Sequence, residues 1–398
     1  VRSEVAGSVR RRCELVRDVD IAVAATASPR ELAERLAAFS GVKDVVGRGD
    51  TAFTVHFEDG ITTDIYAGEP AMFGHLLARA TGSVAHLDQL IGVAAARGLE
   101  LDHRGLRRDG APLPCPDEAT LYSLLGLAWV PPELREGRGE VVLAATNRLP
   151  RLVERSDLAG FIHCHTAYSD GANSVAELAA ACRDAGYSYL GITDHSESSA
   201  FAGGLSEAVI ARQHAEIDEF NRGSSGIRVL KGIEADILAD GTLDYGPEFL
   251  ARFDFVIGSI HTRLDMDERL MTERVLRALD DPQLAILGHP TGRLLLDREP
   301  YPIDMHAVIR KAGERGVAIE INADPHRLDL DWRLCGEARR AGVPIPIGAD
   351  AHSIAGLANV ELGIAMARKA ALSRDDILNA RDVDGFLAHV EARRGAGR

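Results

Sequence analysis

In the second half of the chain, short apolar runs recur with helical segments between them. The runs are FIHCH (161–165), YLGIT (189–193), VLKGIEA (229–235), FVIGSIH (255–261), LAILGH (284–289), VAIEIN (317–322) and PIPIGAD (344–350). Continuous apolar stretches of this length predict strands buried on both faces. Between most of them the period becomes helical. SVAELAAACRDAG, for example, opens on a capping box of Ser174 and Glu177 and ends at Gly186. Strands alternating with helices imply parallel strands joined by right-handed crossovers. Seven such units predict a closed β/α barrel, one strand short of the usual eight.

Residues 1–130 follow a different pattern, mixing helical and strand signals. Ser28-Pro-Arg-Glu31 is a capping box with proline at the first helical position, and it opens the amphipathic helix ELAERLAAF (31–39). TAFTVHF (51–57) and ITTDIYA (61–67) flank Glu58-Asp-Gly60, which predicts a β-hairpin. PPELREGRGEVV (131–142) is rich in proline and charge, so a linker is expected over 131–157.

The length of 398 residues accommodates two or three domains. No run of eighteen apolar residues exists, which predicts no membrane span. The opening VRSEVAGS has no charged-then-apolar leader, and the five cysteines form no C-x-x-C pair. Both features fit reduced thiols in a cytoplasmic protein. The formal charge of −15 argues against a non-specific coat on nucleic acid. It does not exclude phosphodiester chemistry, because bound metals supply the positive potential that the side chains lack.

The histidines carry the chemistry. His163 and His165 end the first strand of the barrel, with Asp170 in the loop after it. His195 ends the second strand, Glu234 the third, His261 the fourth, His289 the fifth, and Asp350 and His352 the seventh. In a β/α barrel these strand ends share one face, so nine ligand-type side chains are expected in one bowl. Imidazole with carboxylate and no patterned cysteine suits Zn, Mn or Fe. Cys164 alternates to the opposite face and is excluded as a ligand. Asp194, beside His195, is a candidate to orient an imidazole, with a buried structural carboxylate as the other reading. Arg293 and Arg327 lie just past strand ends and are candidates to hold a phosphate, with a salt bridge as the alternative.

FIHCHTAYSDG, ITDHS, GIEADIL, SIHT, GHPTGR and DAHS resemble the motifs of the PHP (polymerase and histidinol phosphatase) domain over 158–375. The resemblance implies a distorted seven-stranded barrel with three divalent metals. His163, His165, Glu234 and Asp350 would hold one and form the catalytic group. Glu234 would bridge to a second, held by His261 and His289. Asp170, His195 and His352 would hold the third. A bridged pair of metals can clamp the attacking and leaving oxygens of a phosphoester. Phe161 stands where the family commonly has Asp, which implies altered support behind the first ligands rather than loss of metal.

Asp18 and Asp20 lie two apart on one strand face, and Asp64 lies on a strand that could pair beside it. Three such carboxylates can hold two Mg ions against a triphosphate. Gly7-Ser8 ahead of them opens a helix N-terminus suited to phosphate. GSVRR (7–11) followed by D-x-D resembles the palm of family X DNA polymerases, and FGHLLARATGS (73–83) and ATLYSLLGLAWVPPELREGRGEV (119–141) are similar to that family's thumb. The resemblance to bacterial family X polymerases covers essentially the whole chain. It implies a palm over 1–75, a thumb over 76–130 and a PHP domain over 158–398. Asp18, Asp20 and Asp64 would be the palm's metal ligands, and Gly7, Ser8 and Arg11 its nucleotide contacts. The family implies gap-filling synthesis from dNTPs, and Mn-dependent 3′–5′ exonuclease and 3′-end processing of DNA in base excision repair.

The chain departs from the family where polymerisation needs contacts. Arg17 precedes D-x-D in place of glycine, Ile65-Tyr66 follows Asp64 in place of x-Arg, and Leu87 and Ile91 replace Asn and Arg after TGS. The expectation is therefore a monomeric metal-dependent phosphoesterase acting on DNA 3′ ends, with an impaired polymerase half. The alternatives are a small-molecule phosphatase such as histidinol-phosphatase, a working gap-filling polymerase, and a non-catalytic DNA-binding protein.

Overall fold

The computed structural model describes residues 2–223 and 226–395. The chain divides into two compact units, Val1–Pro150 and Arg151–Arg398. Among the described residues, no helix is long and apolar enough to cross a membrane.

The first unit is built on a five-stranded sheet. Its strands are β1 (Arg2–Val5), β2 (Val19–Ala24), β3 (Val42–Gly47), β4 (Ala52–Phe57) and β5 (Thr62–Gly68), in the order β1-β2-β5-β4-β3. β2 and β5 run parallel and the other neighbours antiparallel, with β4–β5 as the predicted hairpin. Helix Pro29–Leu36 starts at the predicted capping box, with both the Ser28 and the Glu31 hydrogen bonds formed. Its Leu32 and Leu36 cover Phe53, Val55 and Ile65. Phe73, Leu76 and Leu77 of helix Phe73–Thr81 pack with Ala22 and Ala24. Gly7 has φ of +59°, and a Cβ there would lie 1.7 Å from Asp20 Oδ2. Gly7→Ala is therefore expected to destabilise this unit by about 2 kcal/mol, read as a lowered urea midpoint.

Helices Phe73–Thr81 and Val84–Ala95 lead to a small antiparallel sheet of β6 (Glu100–Asp102), β7 (Gly105–Arg108) and β8 (Ala111–Pro112), then to helix Glu118–Leu124. The linker expected over 131–157 is folded for most of its length. Residues 131–150 belong to the first unit and include helix Glu140–Ala145. Arg135 is fully buried and donates to both oxygens of Glu118 and to the Val130 carbonyl. Glu140 takes the His86 Nδ1 contact at 2.6 Å and the backbone N–H groups of Gly137 and Arg138. Charge here is paired inward, so charge-rich composition did not mean solvent exposure.

The second unit is the barrel. Its strands are β9 (Gly160–Cys164), β10 (Tyr189–Ile192), β11 (Arg228–Asp236), β12 (Phe255–Ser259), β13 (Leu284–Leu287), β14 (Ala318–Ile319), β15 (Ile321–Asn322) and β16 (Ile347–Ala351). The order is β14-β13-β12-β11-β10-β9-β16-β15, with every pairing parallel. β14 and β15 flank Glu320 as two halves of one interrupted strand, so the ends of the sheet meet and seven strands close. This is the predicted distorted (β/α)7 barrel.

Ile162, Leu230, Phe255, Ile257 and Ile286 form one apolar cluster inside the strands. Phe386 of the last helix, Val383–Gly395, meets Tyr189 and Phe255 at the first positions of β10 and β12. That helix closes the amino-terminal end of the barrel, and the polar chemistry collects at the other. The predicted helix Val175–Asp184, with its Ser174–Glu177 capping box, packs Val175, Leu178 and Cys182 in the outer layer.

Candidate metal centre

All nine ligand-type residues converge at the carboxyl ends of the strands. Among the described residues, the groups of three or more donor atoms lying within 4.8 Å of one another are four, all in this bowl. They are His165/Asp170/His195/His352, His163/Glu234/His289, His163/His165/Asp350 and His195/Glu234/His261. Glu234 is the hub. His289 Nε2 lies 2.9 Å from its Oε1, His195 Nδ1 3.0 Å from its Oε2, and His163 Nε2 and His261 Nε2 each 3.4 Å from Oε1. Asp350 lies 3.2 Å from His165 Nε2, and Asp170 lies 3.4 Å from His352 Nε2 and 3.6 Å from His195 Nε2.

The backbone is strained to bring them in. His163, His289 and Asp350 adopt φ of 57°, 22° and 50°, a region that non-glycine residues enter at a cost. Three strand ends therefore turn their donors inward at the expense of regular β geometry. Cys164 stays in the outer layer with Cys182, its Sγ facing the Gly191 carbonyl, as alternation predicts.

The electrostatics are those of a cage lacking positive charge. Burial pushes the Glu234 pKa up, but His261, His163 and His195 hold it well below the usual carboxylate range. Asp350 is driven down in the same way, against burial, by His163 and His165. Burial opposes a proton on His163, yet Glu320, Asp350 and Glu234 raise its pKa well above the ordinary value. Burial also opposes charge on His261 and His352, but nearby carboxylates bring them to about 10 and about 9. Burial lowers His165 and His289. The carboxylates thus favour positive charge throughout the bowl, which divalent ions would supply.

The donor set fits metal on a second count. His163 Nε2, His165 Nδ1, His195 Nδ1, His289 Nδ1 and Glu234 Oε2 are buried without a hydrogen-bond partner. Buried polar atoms are ordinarily satisfied, and the four of these that face the bowl, all but His289 Nδ1, are accounted for by cations held between them.

Two supporting carboxylates escaped the sequence reading. Glu320 is fully buried at the strand break, 2.6 Å from His163 Nδ1, and accepts from the His289 backbone N–H at 3.0 Å. It reaches there because residue 348 is glycine, where a Cβ would lie 1.8 Å from Glu320 Oε1. Asp236 lies 2.5 Å from His261 Nδ1. Both fix an imidazole so that Nε2 faces the bowl. A glutamate inside the apolar run VAIEIN was the available signal for the first. Phe161 packs edge-on against Tyr187 in the outer layer, so the support behind His163 comes from Glu320 on another strand.

Other expectations need correction. Asp194 orients no imidazole. It accepts from the Thr166 backbone N–H and hydroxyl and from Ser169 and Gln213, which pins the loop after β9. Arg293 is not free for phosphate, because its guanidinium is spent on the carbonyls of Arg327 and Leu328 and on Asp331. Arg327 is partly exposed, with Nε 3.6 Å from Asp350 Oδ2.

In the first unit, Asp20 and Asp64 are register partners on β2 and β5, and Asp18 immediately precedes β2. Burial, then Asp18, then Asp64 push the Asp20 pKa up to about 6. Asp64, however, already binds the Arg48 guanidinium and the Thr54 hydroxyl, and Asp18 pairs with Arg17. The Arg48 guanidinium thus stands at the Asp64 carboxylate, where a bound cation would be held. Gly7, Ser8 and Arg11, the expected nucleotide contacts, lie in or just after the short helix Gly7–Arg10. The helix at Gly7 has only four residues, Gly7 packs on Asp20, and Arg11 reaches the Thr81 carbonyl and Glu136.

Comparison with known proteins follows the same division. The family model described as DNA polymerase beta thumb matches residues 76–136, and that of the PHP domain matches 162–324. A Bacillus subtilis protein named DNA polymerase/3′-5′ exonuclease PolX is 38% identical over 389 residues, covering 96% of this chain and 68% of the relative. A protein of Caldicellulosiruptor saccharolyticus, named a probable phosphatase, is 29% identical over 56% of this chain and 92% of its own length.

Proposed function

Because the chain belongs to the DNA polymerase/3′-5′ exonuclease PolX family, we propose that its barrel is a divalent-metal phosphoesterase that hydrolyses DNA from the 3′ end. The observation carrying this reading is the convergence of five histidines on the buried Glu234 carboxylate within one nine-residue bowl. Three positions for Mn or Zn follow, in the assignment that the family resemblance implies. His163, His165, Glu234 and Asp350 take the first, Glu234, His261 and His289 the second, and Asp170, His195 and His352 the third. Fe suits the same donors. Divalent ions held there supply Lewis acidity and a nucleophilic water at neutral pH.

The chain's own residues do the positioning. Glu320 and Asp236 keep a proton at Nδ1 of His163 and His261, leaving Nε2 for the bowl. Arg327, beside Asp350 at the rim, is placed to donate to a non-bridging phosphate oxygen. Arg327→Ala is expected to raise KM for DNA about tenfold with little change in thermal stability, measured by steady-state kinetics and a melting curve. A drop in melting temperature at unchanged KM would assign the residue to structure alone.

Two supports favour an impaired palm: Arg48 sits on Asp64, and Arg11 is committed within the unit. The phosphatase-named relatives favour a second reading, a small-molecule phosphomonoesterase using the same bowl. One assay separates them all. The Mn-loaded chain is given a 5′-labelled 3′-recessed duplex, histidinol phosphate, and a gapped duplex with dNTPs. Shortening of the labelled strand, abolished by EDTA, is expected. No shortening alongside histidinol phosphate turnover would overturn the DNA reading.

A further inference from the structure

Phe201 lies on the loop that follows β10 and is 73% exposed. Its ring stands edge-on to His261, with centroids 6.2 Å apart at 71°. A lone exposed phenylalanine is ordinary; one on an immobilised loop beside a proposed metal ligand is not.

The loop backbone is tied to the centre on both sides. Ser196 N–H donates to the Glu234 carbonyl, and Leu205 N–H to the His195 carbonyl. Ser198 N–H donates to Asp244, Glu197 N–H to the Tyr245 hydroxyl, and the fully buried Ser199 hydroxyl to Asp236, the carboxylate that orients His261. Ala202 is buried directly after Phe201. The ring is thus presented beside His261 from a short segment anchored by the buried Ser199 and Ala202 on either side of it.

We infer that Phe201 is a stacking platform for the nucleobase of the 3′-terminal nucleotide whose phosphodiester is hydrolysed. This rests on the proposed 3′-end activity. The separation of the ring from His261 is about the span of a sugar between phosphate and base. A flat ring offers each base a π-face without hydrogen-bond readout, so the contact does not select for sequence.

The test uses the full Mn-loaded chain with two single-stranded oligonucleotides, one ending in thymidine and one in a base-free tetrahydrofuran nucleotide. Phe201→Ala should lower kcat/KM about tenfold on the thymidine end, mainly through KM, the loss expected of one stack. It should leave the base-free end within twofold of wild type and the metal content unchanged. Phe201→Trp should restore the thymidine end. Equal loss on both ends would make Phe201 a mere shield for His261, and no loss on either would remove it from recognition; either result overturns the inference alone. Failure of wild type to cut either oligonucleotide would instead overturn the 3′-end reading, and the inference with it.

Discussion

Glu234→Gln should lower Mn-dependent hydrolysis by about a thousandfold, the largest loss expected of any single change in the barrel. Glutamine keeps the shape but not the charge, and charge is what this position contributes. The carboxylate is fully buried and stays ionised only because His261, His163 and His195 face it. With a neutral amide those imidazoles lose their common counter-charge, and cations on either side lose the oxygen they would share. Metal analysis after exhaustive loading should show at least one ion fewer per chain than wild type. Circular dichroism of the barrel should be retained, which separates this loss from a folding failure. A variant that kept wild-type metal content and rate would remove Glu234 from the centre.

Glu118→Ala should destabilise the first unit by about 3–5 kcal/mol, the cost of stranding a buried cation. Glu118 accepts from Arg10, Arg135 and Trp129, and Arg135 is fully buried with few other acceptors around it. Burial opposes the charge on Glu118, but Arg10 and Arg135 bring its pKa from 4.5 down to about 2. Because the folded value is depressed, the contribution is complete above the unfolded value and is lost as pH falls from 4.5 toward 2. That shift corresponds to about 3 kcal/mol, in line with the truncation cost. Urea unfolding followed by tryptophan fluorescence at pH 7 and pH 3 is the measurement. Wild type should lose stability between the two, and the alanine variant should lose less. An equal pH dependence in both proteins would show that the pair contributes nothing.

Much of the centre was legible because barrel topology converts order along the chain into position in space. A histidine or acid at or just after the end of six of the seven apolar runs is enough to place nine donors on one face, whatever the loops between them do. The capping boxes at Ser28 and Ser174 were legible for a simpler reason: both partners lie within one turn. The interrupted sixth strand was hidden. VAIEIN reads as one strand, and although its glutamate stands out among apolar residues, its partner His163 lies 157 positions away.

Side chains with long reach were the least predictable. Arg293, Arg327, Arg11 and Arg135 look alike in sequence, since each is a cation near a turn. Packing sent Arg293 to backbone carbonyls and Arg135 into a buried ion pair, and it left Arg327 beside the bowl. The same blindness made a linker of 131–157, of which 131–150 belongs to the first unit with its charges paired inward.

By itself, the sequence determined the architecture and the donor set, because both follow from periodicity and from which residue types end the strands. Only the tertiary structure decided which donors share Glu234, which carboxylates hold the imidazoles in place, and which arginines remain near the site. Those outcomes depend on contacts between residues far apart in the chain, whose energies no local pattern encodes.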